Sequence, residues 1–448
     1  MRRFSIFLVL MVYFFCAAID ESSIRILIKI PTRSRPDKFF SCLDKYYDLL
    51  SKKYKYTFLI ACDEDDHLMN NESVINKLKK YENLLFGFDK NSTKVSAYNS
   101  GIDKVPFDIL IVTSDDLIPI VKNYDELIVK AMLANFPDTD GVLNYHDGTV
   151  GAALNTYPIL GRKYYERFGY VYHPHYKSLF CDNEFGDISK MLKREYASNQ
   201  VLFLHHHPLG NWAINKYPMD ESSKKNEALD PQDRLLRKIR REINYNYNVE
   251  RNSVIKWSIL IPTLNNRRKI FNTLRKKLIG QIKSLGLENS IEILSYVDDG
   301  KLSTGYKRNV LLRRSMGEYV SFVDDDDDVC NDFISFIYRR LKKFPDCVSL
   351  NGVITVDGKN PKTFIHSLRY KDFFEKDNVY YRPSNHLNPM RRDIAVRFKF
   401  PDKYISEDSS WAMQICESNL LQTEESVDRP YYFYRYSSRF SVQAMGKK

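Results

Sequence analysis

The sequence predicts an α/β protein built from two successive units, each with a mostly parallel central sheet. Three observations carry that reading. Two distant segments open alike: residues 24–36 read IRILIKIPTRSRP and residues 257–267 read WSILIPTLNNR. Each opening leads to two further apolar runs that end in acids, YTFLIACDEDD and FDILIVTSDDL after the first, IEILSYVDDG and YVSFVDDDDDV after the second. Helical patterns separate these runs, and strands alternating with helices form parallel sheets. Acids at the carboxyl ends of several such strands converge on one crevice, where open α/β sheets bind ligands.

Taken in order, the chain begins MRRFSIFLVLMVYFFCAAIDES. Two arginines, an apolar run over residues 4–19 and the small residues Cys16, Ala17 and Ala18 have the layout of a secretory signal peptide. The run is shorter than the about 20 residues of a membrane span. Residues 1–20 are read as a signal peptide or, alternatively, a short anchor, and the protein as exported or held in a secretory-pathway lumen. The first unit is expected over residues 21–250. In it, Ile-Pro-Thr ends the first strand, because proline stops the ladder and the polar turn beyond starts a helix. A polar, charged stretch (219–253) joins the units, with a short basic helix at 230–243. The second unit is expected over 251–448 and repeats the Ile-Pro-Thr opening.

Bulk composition narrows the function classes. Of 448 residues, 43% are hydrophobic, enough for sizeable cores and against global disorder. The formal charge of +11 favours anionic ligands such as nucleotides, phosphates or acidic glycans. No long Lys/Arg block suggests a nucleic-acid arm. Outside the N-terminal segment six cysteines are scattered, with no CxxC or Cys/His metal spacing, which excludes a zinc ribbon or a disulfide scaffold. Sequons begin at Asn71 and Asn91.

The chemistry concentrates in the second unit. Asp324, Asp325, Asp326, Asp327 and Asp328 follow the strand-forming run Tyr-Val-Ser-Phe-Val. Five consecutive carboxylates repel one another. Either the run is a solvated loop, or something cationic sits there. Hard oxygen ligands at that spacing suit Mg²⁺ or Mn²⁺, and such an ion can clamp a diphosphate. Upstream, Gly305 and the Lys307-Arg308-Asn309 triplet open a helix, where backbone amides and cations favour phosphate. Downstream, Glu407 and Asp408 precede a helical pattern with Trp411 one turn on. A carboxylate there can accept the proton of a sugar hydroxyl, or can simply be N-terminal helix charge.

Together these pieces resemble family 2 glycosyltransferases of the GT-A fold. The matching residues are SILIPTLNNR (258–267), VDDG (297–300), GYKRNVLLRRSMGEYVSFVDDDD (305–327), SED (406–408) and the closing YYFYRYSSRFS (431–441). The resemblance implies two tandem GT-A domains of Rossmann-like, nucleotide-diphospho-sugar transferase type. It implies an inverting, Mn²⁺- or Mg²⁺-dependent transfer from a nucleotide-sugar donor to a glycan, lipid or protein hydroxyl. Carried over by position, Asp408 is the base, with Glu407 the alternate. Asp326 is the main metal ligand, with Asp327 beside it; Asp324 and Asp325 complete the donor-side acids, with the register open by one residue. Pro262, Asp298, Asp299, Lys307, Arg308, Asn309 and Arg435 are expected around the donor.

The first unit looks like a related but altered GT-A domain. Asp115 and Asp116 offer a shorter acid set, with His206, in the His205-His206-His207 run, as a candidate late metal ligand. Tyr98-Asn99-Ser100-Gly101 is the nearest match to Lys-Arg-Asn. Asp182 and Glu184 occupy the place of the Glu407-Asp408 pair, as base or as helix caps. The contrasting class is a non-catalytic sugar- or partner-binding protein derived from two transferase domains. A two-metal nuclease or phosphatase lacks its His or Lys partners here. A sugar nucleotidyltransferase lacks its glycine-rich loop, since IPTLNNR has no glycine.

Overall fold

The computed structural model describes residues 20–91, 93–148, 153–206, 224 and 228–436. The N-terminal apolar run, His207 and the end of the closing Tyr-Arg-Ser segment lie outside the described residues. Among the described residues, no helix is long and apolar enough to cross a membrane. The chain divides into two compact units, Met1–Arg234 and Leu235–Lys448. The division falls inside the helix Asp230–Glu242, within the charged stretch and earlier than residue 250.

In the N-terminal unit the strands are β1 (Arg25–Pro31), β2 (Lys55–Asp63), β3 (Leu84–Asp89), β4 (Ile109–Val112), β5 (Leu117–Pro119), β6 (Val142–Tyr145), β7 (Ile159–Gly161), β8 (Glu195–Ser198) and β9 (Phe203–His205). Seven of them form one sheet in the order β3-β2-β1-β4-β7-β6-β8. The β2–β3, β1–β2, β1–β4 and β6–β8 ladders are parallel, and β7 runs antiparallel to both neighbours. Central β1 is buried from Ile26 to Ile30 on both faces, which explains an apolar run interrupted only by Lys29. The helix Pro36–Leu49 covers one face with Phe39, Phe40, Leu43 and Tyr46, at helical spacing. β5 and β9 pair separately, beyond the acid end of β4.

The C-terminal unit begins with the short pair β10 (Tyr247–Asn248) and β11 (Ser253–Val254). Its central sheet comprises β12 (Trp257–Leu264), β13 (Ile291–Asp298), β14 (Tyr319–Phe322), β16 (Cys347–Val348), β21 (Met390–Arg391) and β22 (Glu424–Glu425), ordered β13-β12-β14-β21-β16-β22. The β12–β13, β12–β14 and β16–β22 ladders are parallel, and β21 is antiparallel to β14 and β16. One face packs Trp257, Ile259 and Ile261 against Phe271, Leu274, Leu278 and Ile282 of the helix Arg268–Ser284. The other packs Leu260, Val320 and Phe322 against Phe400, Trp411 and Ile415. Both units therefore have the α/β architecture expected, with parallel ladders at the centre.

A second sheet of the C-terminal unit was not anticipated. It joins β15 (Asp328–Val329), β17 (Leu350–Val356), β18 (Lys359–His366), β19 (Phe374–Lys376), β20 (Val379–Arg382) and β23 (Tyr432–Tyr436) in the order β15-β23-β17-β18-β20-β19. Gly352 permits its close packing, because a Cβ there would lie 2.3 Å from the Phe364 ring.

Candidate active site

The aspartate run leaves β14 and turns at once, with the Asp327 amide donating to the Asp324 carbonyl. That turn separates the first three carboxylates from the last two. Asp324, Asp325 and Asp326 line a cleft of about 440 Å³, within the size range of small-molecule sites. Asp327 does not. Its oxygens accept from the Tyr432 hydroxyl at 2.6 Å and the Arg435 amide at 2.9 Å. It thus anchors the turn to β23, and burial followed by Asp324 and Asp326 pushes its carboxyl far up. Asp328 is held by Lys277 at 2.9 Å and Arg435 at 2.6 Å.

Each cleft-facing acid meets a cation, two of them the same one. Asp324 accepts from Arg308 at 2.9 Å. Burial would raise its carboxyl, but Arg308 and then His386 outweigh that and hold it well below the usual range. Asp325 accepts from the Thr263 hydroxyl at 2.6 Å and from Arg267 at 2.9 Å. Asp326 shares that Arg267, at 3.0 Å. Burial, only partly offset by Arg267 and reinforced by Asp325 and Asp324, lifts the Asp326 carboxyl to about 6. Burial disfavours the charged carboxylate, and the two neighbouring acids add to that.

The helix Glu407–Ser418 closes the far wall. Its Ncap, Ser406, sits in the left-handed region at φ 62°, which aims the first turn at the cleft. Asp408 lines that cleft, and its side chain keeps 30% exposure. Glu407 also lines it but is buried against Arg308, whose Nε donates at 3.1 Å. Asp326 and Asp408, separated by 82 residues of sequence, therefore face one hollow. Pro262, Lys307, Arg308 and Arg435 face it too.

Four expected site residues, three placed around the donor and one as a metal ligand, do not line the cleft. Asp298 accepts from Lys307 at 2.9 Å and from the Leu302 amide at 2.9 Å, which fixes the loop after β13. Asp299 accepts from Asn265 at 2.6 Å. Asn309 clamps the Phe400 backbone, donating to its carbonyl at 2.8 Å and accepting from its amide at 3.0 Å. Asp327 is the fourth. All support the cleft without lining it. Sequence reading missed Arg267 and His386, and also His366, Tyr380, Arg382 and Tyr434 from the second sheet, all of which line the cleft. Only Arg267 had a signal, since it ends the repeated Ile-Pro-Thr segment.

Hydrogen bonds set the two units in register. Thr32 donates to Asp115 at 2.8 Å as Thr263 does to Asp325, and Arg35 reaches Asp115 at 3.2 Å as Arg267 reaches Asp325. The Leu117 amide donates to the Ser114 carbonyl as Asp327 does to Asp324. Hence Ser114, Asp115 and Asp116 stand where Asp324, Asp325 and Asp326 stand. Asn99 clamps the backbone of Val171 and Tyr172 as Asn309 clamps Phe400, so Tyr98 takes the place of Arg308. Phe180, at φ 62°, precedes the helix Cys181–Met191 as Ser406 precedes its helix. Cys181 thus replaces Glu407, and Asp182 stands at the position of Asp408.

Glu184 is placed differently. It is buried and accepts from the Tyr176 hydroxyl at 2.8 Å. Asp182 accepts from the neighbouring Asn183 amide. Asp115 is lifted to about 6 by burial, partly offset by Arg35. Asp116 is bonded by Ser114 and lies 3.7 Å from His205. It is therefore the imidazole of His205 that faces Asp116, while His206 meets its carbonyl through the backbone amide at 2.8 Å. Burial, then Lys38, lowers the His206 imidazole.

No protein-family model matches the chain, and no curated protein does. Solved structures of glycosyltransferases do. The chain is similar to S. aureus TarS residues 1–349, at 16% identity and a TM-score of 0.29, over 40% of this chain and 60% of that one. It is similar to the mannosyltransferase PcManGT from Pyrobaculum calidifontis, at 15% identity and a TM-score of 0.35, over 42% and 59%. It is also similar to the catalytic domain of Drosophila β1,4-galactosyltransferase 7, at 12% identity and a TM-score of 0.29, over 46% and 79%. The chain spans about three-fifths of the length of the first two. TarS has been solved with UDP-GlcNAc, and PcManGT with GDP-Man and Mn²⁺.

Proposed function

We propose that the C-terminal unit is a metal-dependent, inverting glycosyltransferase that moves a sugar from a nucleotide-diphosphate donor to a hydroxyl of a glycan, lipid or protein. One observation carries this reading: Asp326 and Asp408 face the same cleft, flanked by Arg267, Lys307 and Arg308. The oxygens of Asp326 and Asp324 suit Mn²⁺ or Mg²⁺, and both carboxylates line the cleft. Among the described residues, the aspartate run does not bring three ligand atoms within 4.8 Å of one another. Asp324 and Asp326 would be the residues to hold such an ion. When bound, it would neutralise the charge of the departing diphosphate.

The protein's own groups do the rest. Asp408 accepts the proton of the acceptor hydroxyl. The oxygen forms its bond to the anomeric carbon on the face opposite the nucleotide, and the bond to the diphosphate oxygen breaks, its electron pair leaving with the phosphate. Lys307 and Arg435 offer cations on the cleft wall for that phosphate. Tyr380 and Tyr434 offer ring faces for a sugar. The N-terminal signal remains part of the proposal: the transfer belongs to an exported or lumenal setting, where donors are imported.

For the N-terminal unit a specific observation favours binding over transfer. Tyr98, Ser114 and Cys181 replace the charged Arg308, Asp324 and Glu407. Our reading of that unit is a sugar- or partner-binding domain of the same descent.

The test is a panel of nucleotide sugars assayed for donor turnover with and without Mn²⁺. Metal-dependent turnover of at least one donor is expected, with Asp326→Ala abolishing it and Asp408→Asn reducing it about 10²- to 10⁴-fold. Turnover of no donor, or full activity in Asp326→Ala, rejects the transferase reading.

A further inference from the structure

His386 is the least expected group in the cleft. It lines the wall and is 3% exposed. Neither ring nitrogen has a hydrogen-bond partner among the described residues. Nε2 lies 3.8 Å from Asp324 and Nδ1 lies 3.9 Å from Asp408. One imidazole therefore stands between the donor-side acid and the base. A buried polar atom without a partner is unfavourable and rare, and where it occurs it calls for a functional account.

Hydrogen bonds hold the loop that carries the ring. The His386 carbonyl accepts from the Phe322 amide at 2.8 Å, which ties it to the strand that delivers the aspartates. Asn388 accepts from the Asn385 amide at 2.9 Å and donates to the Val348 carbonyl at 2.9 Å. Asn385 accepts from the Leu387 amide at 3.0 Å and meets His366 at 3.0 Å. These bonds fix the loop backbone on both sides of residue 386, and a ring N–H can be offered to the carboxylate it faces, since an ionised carboxylate only accepts.

The N-terminal unit supplies an internal comparison. There the Val112 amide donates to the Pro158 carbonyl, the bond that Phe322 makes with His386. Proline occupies the position, and it accompanies the neutral Tyr98, Ser114 and Cys181. Asp182 keeps the place of the base, but the imidazole and the ion pairs around it have gone together. Residues that change as a group belong to one device.

We propose that His386 is a positioning residue for glycosyl transfer, bracing Asp408 against Asp324 so that the base carboxylate meets the acceptor hydroxyl in line. The proposal rests on the transferase reading of the same cleft. It places the effect on the chemical step and not on donor affinity, because a ring nitrogen faces Asp408 while Asp324 keeps its ion pair with Arg308.

The experiment compares the full chain with His386→Phe and His386→Gln. Donor turnover, calorimetric binding of UDP and GDP with Mn²⁺, and the melting temperature are measured for each. His386→Phe keeps the ring volume and removes both nitrogens, and kcat is expected to fall about tenfold to a hundredfold. Nucleotide Kd should stay within about twofold, because only the chemical step depends on the brace. His386→Gln keeps an N–H donor and should recover part of the loss; it also stands in if the phenylalanine variant does not fold. Equal losses in both folded variants, an unchanged kcat, or a loss confined to KM and nucleotide Kd would overturn the role of His386 while leaving the transferase reading intact. A wild-type chain that turns over no donor overturns both.

Discussion

Asp326 shows how one side chain can be both poorly tolerated by the fold and well suited to a ligand. Burial and its neighbouring acids lift its carboxyl from the ordinary 3.8 to about 6. The folded state thus binds its proton more tightly than the unfolded chain does. The contribution to stability is fully present below pH about 4 and is lost as pH rises through about 6. Without divalent metal, Asp326→Asn should therefore be the more stable protein at pH 7.5, by about 1–3 kcal/mol. The gain should vanish below pH about 4. Thermal melting in chelator across that range checks both signs. Saturating Mn²⁺ should stabilise the wild type by mass action and leave the variant unmoved. The place of Asp326 in the cleft was legible because acids behind a strand run are conspicuous in sequence. His386 was not, since it stands in a loop and gains meaning only from carboxylates 62 and 22 residues away.

The elements succeed or fail by how closely they approach. The helix Thr304–Arg314 carries Lys307, Arg308 and Asn309, and Gly305 lets its first turn touch the loop that leads to Asp408. The Gly305 amide donates to the Lys403 carbonyl at 3.0 Å, and a Cβ at Gly305 would lie 1.8 Å from the Pro401 carbonyl oxygen. Gly305→Ala must push that loop away. It should cost about 1–3 kcal/mol of stability and lower donor turnover beyond what the stability loss explains. Melting and kinetics on the same sample separate the two. At this scale the sequence showed the strand openings, because β12 and β1 are buried on both faces and read as apolar runs. It did not show the second sheet of the C-terminal unit. Its strands β18 and β20 are half-buried and mixed in polarity, so neither a strict alternation nor an apolar run announces them.

On the scale of the whole chain, two units of one architecture follow each other with their acid pairs in register. The C-terminal unit keeps the charged set Arg308, Asp324 and Glu407; the N-terminal unit has neutral residues in all three places. Activity should therefore belong to the C-terminal unit. Asp115→Ala is expected to leave donor turnover unchanged, while Asp326→Ala abolishes it, each assayed in the full chain. Loss of turnover in folded Asp115→Ala would show that the N-terminal acids take part.

The sequence by itself determined the repeat, the parallel α/β core and the acids at the strand ends, because buried strands and clustered charge are local patterns that composition and period express directly. Only the tertiary structure decided which of the five aspartates face the cleft, since a tight turn after β14 points Asp326 inward and gives Asp327 to Tyr432. It also decided that Asp182, not Glu184, stands where Asp408 stands, and that the His386 imidazole lies between Asp324 and Asp408. Those facts depend on side-chain direction across long loops, and direction is set by packing and hydrogen bonds between segments far apart in the chain.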